Sequence, residues 1–156
     1  MYEEEFRAIK QLLNTLRMDA SAKIVFLVDK NGQQIAEAGE VELIDTTSLA
    51  SLTAGNVAAT DGLAKLIGEK EFSILFHEGR KDNIHISIVA QRLILVVIFD
   101  ERSSLGLVRL RVRKVSGEIE RVLNDMEAKA AEVGAVETVS PFAEITDDDI
   151  DALFSE

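Results

Sequence analysis

Hydrophobic positions recur at spacings of three and four over residues 2–18, where Phe6, Ile9, Leu12, Leu13 and Leu16 mark an amphipathic helix. The pattern then shortens. "KIVFLVDKNGQQIAEAG" reads as a hairpin: an apolar strand from Ile24 to Val28, a type I′ turn at Asn31-Gly32, and a weaker strand around Ile35, Ala36 and Ala38. "DTTSLAS" opens a second helix that Asp45 or Thr46 can cap, running to about Gly68. Three strands follow. The first is Phe72 to His77. The second, "NIHISIV", alternates Ile84, Ile86 and Ile88 with His85 and Ser87, which predicts one buried and one open face. After a turn at Ala90-Gln91-Arg92, "LILVVIFD" lacks alternation and suits a central strand covered on both sides. A third helix is expected over 103–132 from Leu105, Val108, Val112, Val115, Ile119, Val122 and Met126.

This order predicts an α/β protein of the α+β type: a five-stranded antiparallel sheet of order 2-1-5-4-3 with three helices. The middle helix crosses one face and the terminal helices cover the other. One domain is expected over 1–132, with an acidic linker and tail over 133–156 that ends in a short amphipathic helix.

The middle helix is unusual in carrying Gly55 and Gly62, since an interior glycine costs roughly 1 kcal/mol against alanine. Projected at 100° per residue, Leu49, Leu52, Ala59, Leu63, Leu66 and Ile67 gather on one stripe, which is expected to face the sheet. Ala54, Ala58 and Gly62 fall on nearly the opposite side, with Ser51, Gly55 and Ala59 as a neighbouring ridge. A surface so poor in side chains admits close approach by a second backbone, from another subunit or another protein. The competing reading is that alanines merely favour helix, which leaves the glycines unexplained.

Net charge is −11, but seven acids and no Lys or Arg lie in residues 134–156, so the remainder carries only −4. That acidity argues against nucleic-acid binding. The absence of cysteine excludes disulfides and thiolate metal sites. "MYEEEFRAIK" does not read as a signal peptide, and the longest apolar run, "LILVVIF", is too short for a helical membrane span, so a cytoplasmic protein is expected.

No motif supports a catalytic site. Gly55 and Gly62 lack the spacing and the Gly-Lys-Ser/Thr of a phosphate loop. His77 and His85 lie on different predicted strands. Asp147, Asp149 and Asp151 alternate like the start of a calcium loop, but Ala152 replaces the required glycine, so no metal site is expected. Arg109, Arg111, Arg113 and Lys114 form the one basic cluster. They read as residues snorkelling over the sheet edge, as a docking patch helped by Arg121, or, least compatibly with a regular helix, as an arginine finger. In the tail, Thr146 with Asp149 fits a capping box, and Ile150, Leu153 and Phe154 form one apolar edge. That segment is expected to fold on a partner; the alternative is a solubilising tail.

"KIVFLVDKNGQQIAEAG", "IDTTSLASLTAGNVAATDGLAKLIGE", "ILVVIFDERSSLGLVRLRV" and "PFAEITDDDIDALFSE" closely resemble the bacterial gliding-motility and polarity regulators of the roadblock/LC7 superfamily. The resemblance implies a homodimer joined through strand 3 and the middle helix. It implies action on a Ras-like small GTPase of the MglA type as a GTPase-activating protein, with no catalytic site or cofactor of its own. No arginine finger is inserted; docking reshapes the GTPase so that its own Arg and Gln reach the γ-phosphate, a placement worth several powers of ten in rate. Carried onto this chain, the contact surface includes Ala54, Ala58 and Gly62. The tail, with Phe142, Ile145, Ile150, Leu153 and Phe154, touches the GTPase and aids nucleotide exchange. Polar regulatory proteins would meet Lys114 and Arg121, with enrichment at a cell pole. A scaffold without effect on hydrolysis and a factor acting chiefly on exchange are the rival classes.

Overall fold

The computed structural model describes residues 3–139. The elements in chain order are α1 (Glu3–Asp19), β1 (Ile24–Asp29), β2 (Gln34–Gly39), α2 (Thr46–Leu66), β3 (Ile74–Glu78), β4 (Asn83–Val89), β5 (Leu93–Phe99) and α3 (Leu105–Val139). The strands form one antiparallel sheet of order β2-β1-β5-β4-β3, as the hydrophobic pattern predicts. Because β5 is central, its residues Leu93–Phe99 are all buried, which explains the missing alternation.

The chain divides into two compact units, Met1–Val122 and Leu123–Glu156. In the first, one face of the sheet presents Ile24, Phe26, Val28, Ile86, Ile94, Val96 and Ile98 to α2. The alternate residues Val25, Leu27, Leu95 and Val97 are buried on the other face, where Ile9, Leu13 and Leu16 of α1 and Val108, Val112, Val115 and Ile119 of α3 supply the cover. α1 lies along β2 and β1. On α1, Phe6 is exposed and Glu5 takes the buried position, so the apolar stripe starts at Ile9. In the second unit, the helix continues through residue 139, beyond the end expected at 132.

One turn differs from expectation, and the turn expected at Ala90-Gln91-Arg92 is present. At Asn31-Gly32 only Gly32 has positive φ, at +90°. Its N–H donates to the Asp29 carbonyl at 3.0 Å. The Asp29 carboxylate accepts from the N–H groups of Asn31 and Gln33, each at 2.9 Å. The register then slips between Leu27 and Val28. This is a three-residue connection with a left-handed glycine and a bulge, not a type I′ turn, because an aspartate before the turn offers its own acceptor. Type I′ geometry occurs instead between β4 and β5. There Ala90 and Gln91 both have positive φ, 54° and 63°, and Arg92 N–H donates to the Val89 carbonyl at 3.2 Å.

β4 also departs from its pattern. His85 and Ser87 are buried along with Ile86, so neither face is open. An internal strand between β5 and β3 is covered by α2 on one side and α3 on the other, and polar residues there lose water regardless of their chemistry.

Candidate functional site

α2 begins at a side-chain cap. The Asp45 carboxylate accepts from Ser48 N–H at 3.2 Å and from the Ser48 hydroxyl at 2.7 Å. These bonds hold the Asp45 carboxyl below its ordinary value. The helix ends at Leu66 with Ile67 as its C-cap, and Gly68 follows in the left-handed conformation, φ +85°.

Between these ends the helix is rotated from the orientation its leucines imply. The buried residues are Ala50, Thr53, Val57 and Ala64. Leu52, Leu63 and Leu66 are 73%, 60% and 83% exposed, and Ile67 and Ala59 are exposed beside them. Only Leu49 of the expected inward stripe packs partly against the core. The reason lies in the sheet. Its α2 face is already filled by Phe26 and five isoleucines and valines of β1 and β5, with Ile86 of β4. A helix that approaches such a surface at interior packing density contributes small side chains, not large ones.

The expected contact residues separate accordingly. Ala58 and Gly62 are exposed. A Cβ built at Gly62 or at Gly55 meets nothing within 4 Å, so neither glycine is required by anything in the folded chain. Ala54 is different: it is half-buried against the core, and its Cβ lies 3.6 Å from where a Cβ on Gly32 would stand. It therefore supports the β1–β2 turn and does not point outward as expected. Phe142, Ile145, Ile150, Leu153 and Phe154 lie outside the described residues.

The edge that the expected strand order assigns to strand 3 is present. β3 is a sheet edge, paired with β4 alone among the described residues, and it carries Ile74 at 49% exposure. Phe76, one pleat on, stacks on Phe99 with ring centroids 6.2 Å apart. The outer face of α2 and the free edge of β3 are apolar surfaces of this unit with no partner among the described residues. Large exposed apolar patches of this kind mark interaction sites. The signal was present in the sequence, since more large apolar residues fall on α2 than a filled sheet face can receive.

Among the described residues, no group of acids and histidines is placed to hold a metal, and no helix is long and apolar enough to cross a membrane. Arg109, Arg113, Lys114 and Arg121 are exposed on α3, and Arg111 is half-buried.

The Roadblock/LC7 domain family model matches residues 8–99. Among solved structures, Myxococcus xanthus MglB is 62% identical, with a TM-score of 0.77 over 80% of this chain and 94% of that one. The gliding protein MglB from Thermus thermophilus is 28% identical, with a TM-score of 0.75 over 80% of this chain and 95% of that one. An MglB described with a tetrameric arrangement is 26% identical, also with a TM-score of 0.75, over 80% and 94%. No curated protein sequence gives a match. With the sheet order, the crossing middle helix and these matches together, the chain belongs to the Roadblock/LC7 family, within which it is similar to MglB.

Proposed function

We propose that this chain is a homodimeric regulator that accelerates GTP hydrolysis by a Ras-like small GTPase of the MglA type, and so acts in cell polarity or gliding motility. The observation that carries the reading is the outer face of α2, where large leucines and bare positions stand side by side in solvent. The two kinds of position divide the work. Leu52, Leu63 and Leu66, with the β3 edge, give a second copy apolar area to bury. Ala58 and Gly62 keep a lane free of side chains in which a GTPase backbone can lie close. Similarity to MglB at 62% identity supports the assignment.

The chain brings no catalytic group in this reading. The basic cluster Arg109, Arg111, Arg113 and Lys114 sits on α3, and α2 carries no arginine, its basic residue being Lys65 in the last turn; in this reading stimulation works by reshaping the GTPase and not by an arginine finger. Phe142, Ile145, Ile150, Leu153 and Phe154 aid nucleotide exchange, and Lys114 and Arg121 meet polar regulatory proteins.

Ala58→Arg tests this directly. The side chain enters open solvent, so the fold and the dimer survive, but GTPase affinity falls at least ~100-fold, about 2.7 kcal/mol. Calorimetry with a GTP-locked GTPase from the same genome measures it; unchanged affinity overturns the assigned lane. Phosphate release by that GTPase separates activation from scaffolding: binding without faster release makes the chain a scaffold. Deleting residues 140–156 should slow exchange while stimulated hydrolysis persists.

A further inference from the structure

The face of the sheet opposite α2 holds a second feature. Between β4 and the first half of α3 lies a cleft of about 410 Å³, within the range of roughly 300–1,000 Å³ typical of small-molecule sites. His85 and Ser87 stand two residues apart on β4 and so share its inner side. His85 is only 1% exposed. Yet neither ring nitrogen, nor the Ser87 hydroxyl, has a hydrogen-bond partner among the described residues. A buried polar group left unpaired costs roughly 1–3 kcal/mol, so three such atoms in one cleft call for a ligand that engages them.

The opposite wall defines the ligand's charge. Arg109 and Arg113 are one helical turn apart on α3 and both line the cleft, with Val112 between them. None of the described residues that line it is acidic, in a chain whose net charge is −11. The cleft is a cationic spot in an acidic molecule. Ile74 and Val112 line it with apolar surface. Burial holds the His85 imidazole below its ordinary value, and the Arg109 charge adds to the effect. The ring is therefore neutral at pH 7 and presents one N–H donor.

We infer that this cleft binds a small organic oxyanion, a carboxylate or phosphate monoester with a compact apolar body. The oxyanion lies between the two guanidinium groups and accepts from the His85 ring N–H and the Ser87 hydroxyl. The apolar body rests on Ile74 and Val112. Charge-assisted bonds from arginine forks are the strong component of such recognition. The inference is independent of the α2 surface and of any GTPase, although Ile74 at the cleft's rim also belongs to the β3 edge assigned above to a second copy.

Hexanoate, hexyl phosphate, inorganic phosphate and 1-hexanol, titrated into the full chain, test it, with the His85 ring followed by NMR. The expected result is saturable binding of hexanoate or hexyl phosphate at one site per chain, with movement of the His85 signals. Whichever of the two binds more tightly identifies the head group. Hexanol and inorganic phosphate should bind at least about tenfold more weakly, and Arg109→Ala with Arg113→Ala should cost about tenfold or more. Both arginines are exposed, so that variant keeps its fold. Ser87→Ala should weaken binding less. The inference is overturned if neither anion moves His85 up to ~10 mM, beyond the affinity of even weak sites. It is equally overturned if hexanol or inorganic phosphate matches the organic anion, or if the arginine variant binds normally.

Discussion

The two sides of α2 invert the usual relation between residue size and burial. The side against the sheet carries Ala50, Thr53, Val57 and Ala64, and the side in solvent carries Leu52, Leu63 and Leu66. A helix that served only to cover the sheet would place its leucines inward. This one approaches a sheet face already full, and its large residues remain for something else. The lesson is that an amphipathic pattern reports where apolar mass lies, not which surface receives it.

Four variants probe that contrast, in descending order of effect on stability. Val57→Asp on the inner side places a carboxylate among Phe26, Val96 and their neighbours; we expect a loss of about 4 kcal/mol or more and a chain unfolded or nearly so by denaturant titration. Ala64→Leu, also inner, overfills a position with no exposed surface, and should cost about 1–3 kcal/mol. If instead it stabilises, the inner side has spare room and the account of the rotation fails. Asp45→Ala removes the cap shared by both sides and should lower the melting temperature at neutral pH. The folded-state carboxyl is depressed by its Ser48 bonds. The stabilisation is therefore complete above the ordinary carboxylate value and lost as pH falls through the lower folded one, so the melting curves of wild type and variant should converge in strong acid. Leu63→Glu with Leu66→Glu, on the outer side, should change the stability of the isolated chain by less than about 0.5 kcal/mol. The same pair should abolish self-association measured by sedimentation. A large loss of stability with no change in association would mean that these leucines serve the chain's own core.

Much of the architecture could be read from the linear pattern. The unbroken run Leu93–Phe99 marked the central strand, and the order helix, two strands, helix, three strands, helix led to the sheet order β2-β1-β5-β4-β3. These inferences rest on period and length, which are local properties. The turns were less legible. Asn31-Gly32 carries the residue types of a type I′ turn, but the Asp29 carboxylate offers competing bonds and redirects the backbone. Ala90 and Gln91 take positive φ with no glycine to announce it. Neighbouring strands hold those residues there, whatever their own preference.

The functional surfaces divide the same way. That α2 has two unlike sides, one bare around Ala58 and Gly62, follows from residue order and helical geometry alone. That the sheet receives neither the leucine stripe nor this bare ridge, but Ala50, Thr53, Val57 and Ala64, depends on the volume already occupied by β1, β5 and β4, residues distant in the chain, and only packing settles it. His85 and Ser87 read as the open side of a strand until α3 is laid across them, when two polar residues become the floor of a cationic cleft. Periodicity encodes the elements because each is a short-range property of the backbone. Burial belongs to pairs of elements, so it exists only once they are assembled.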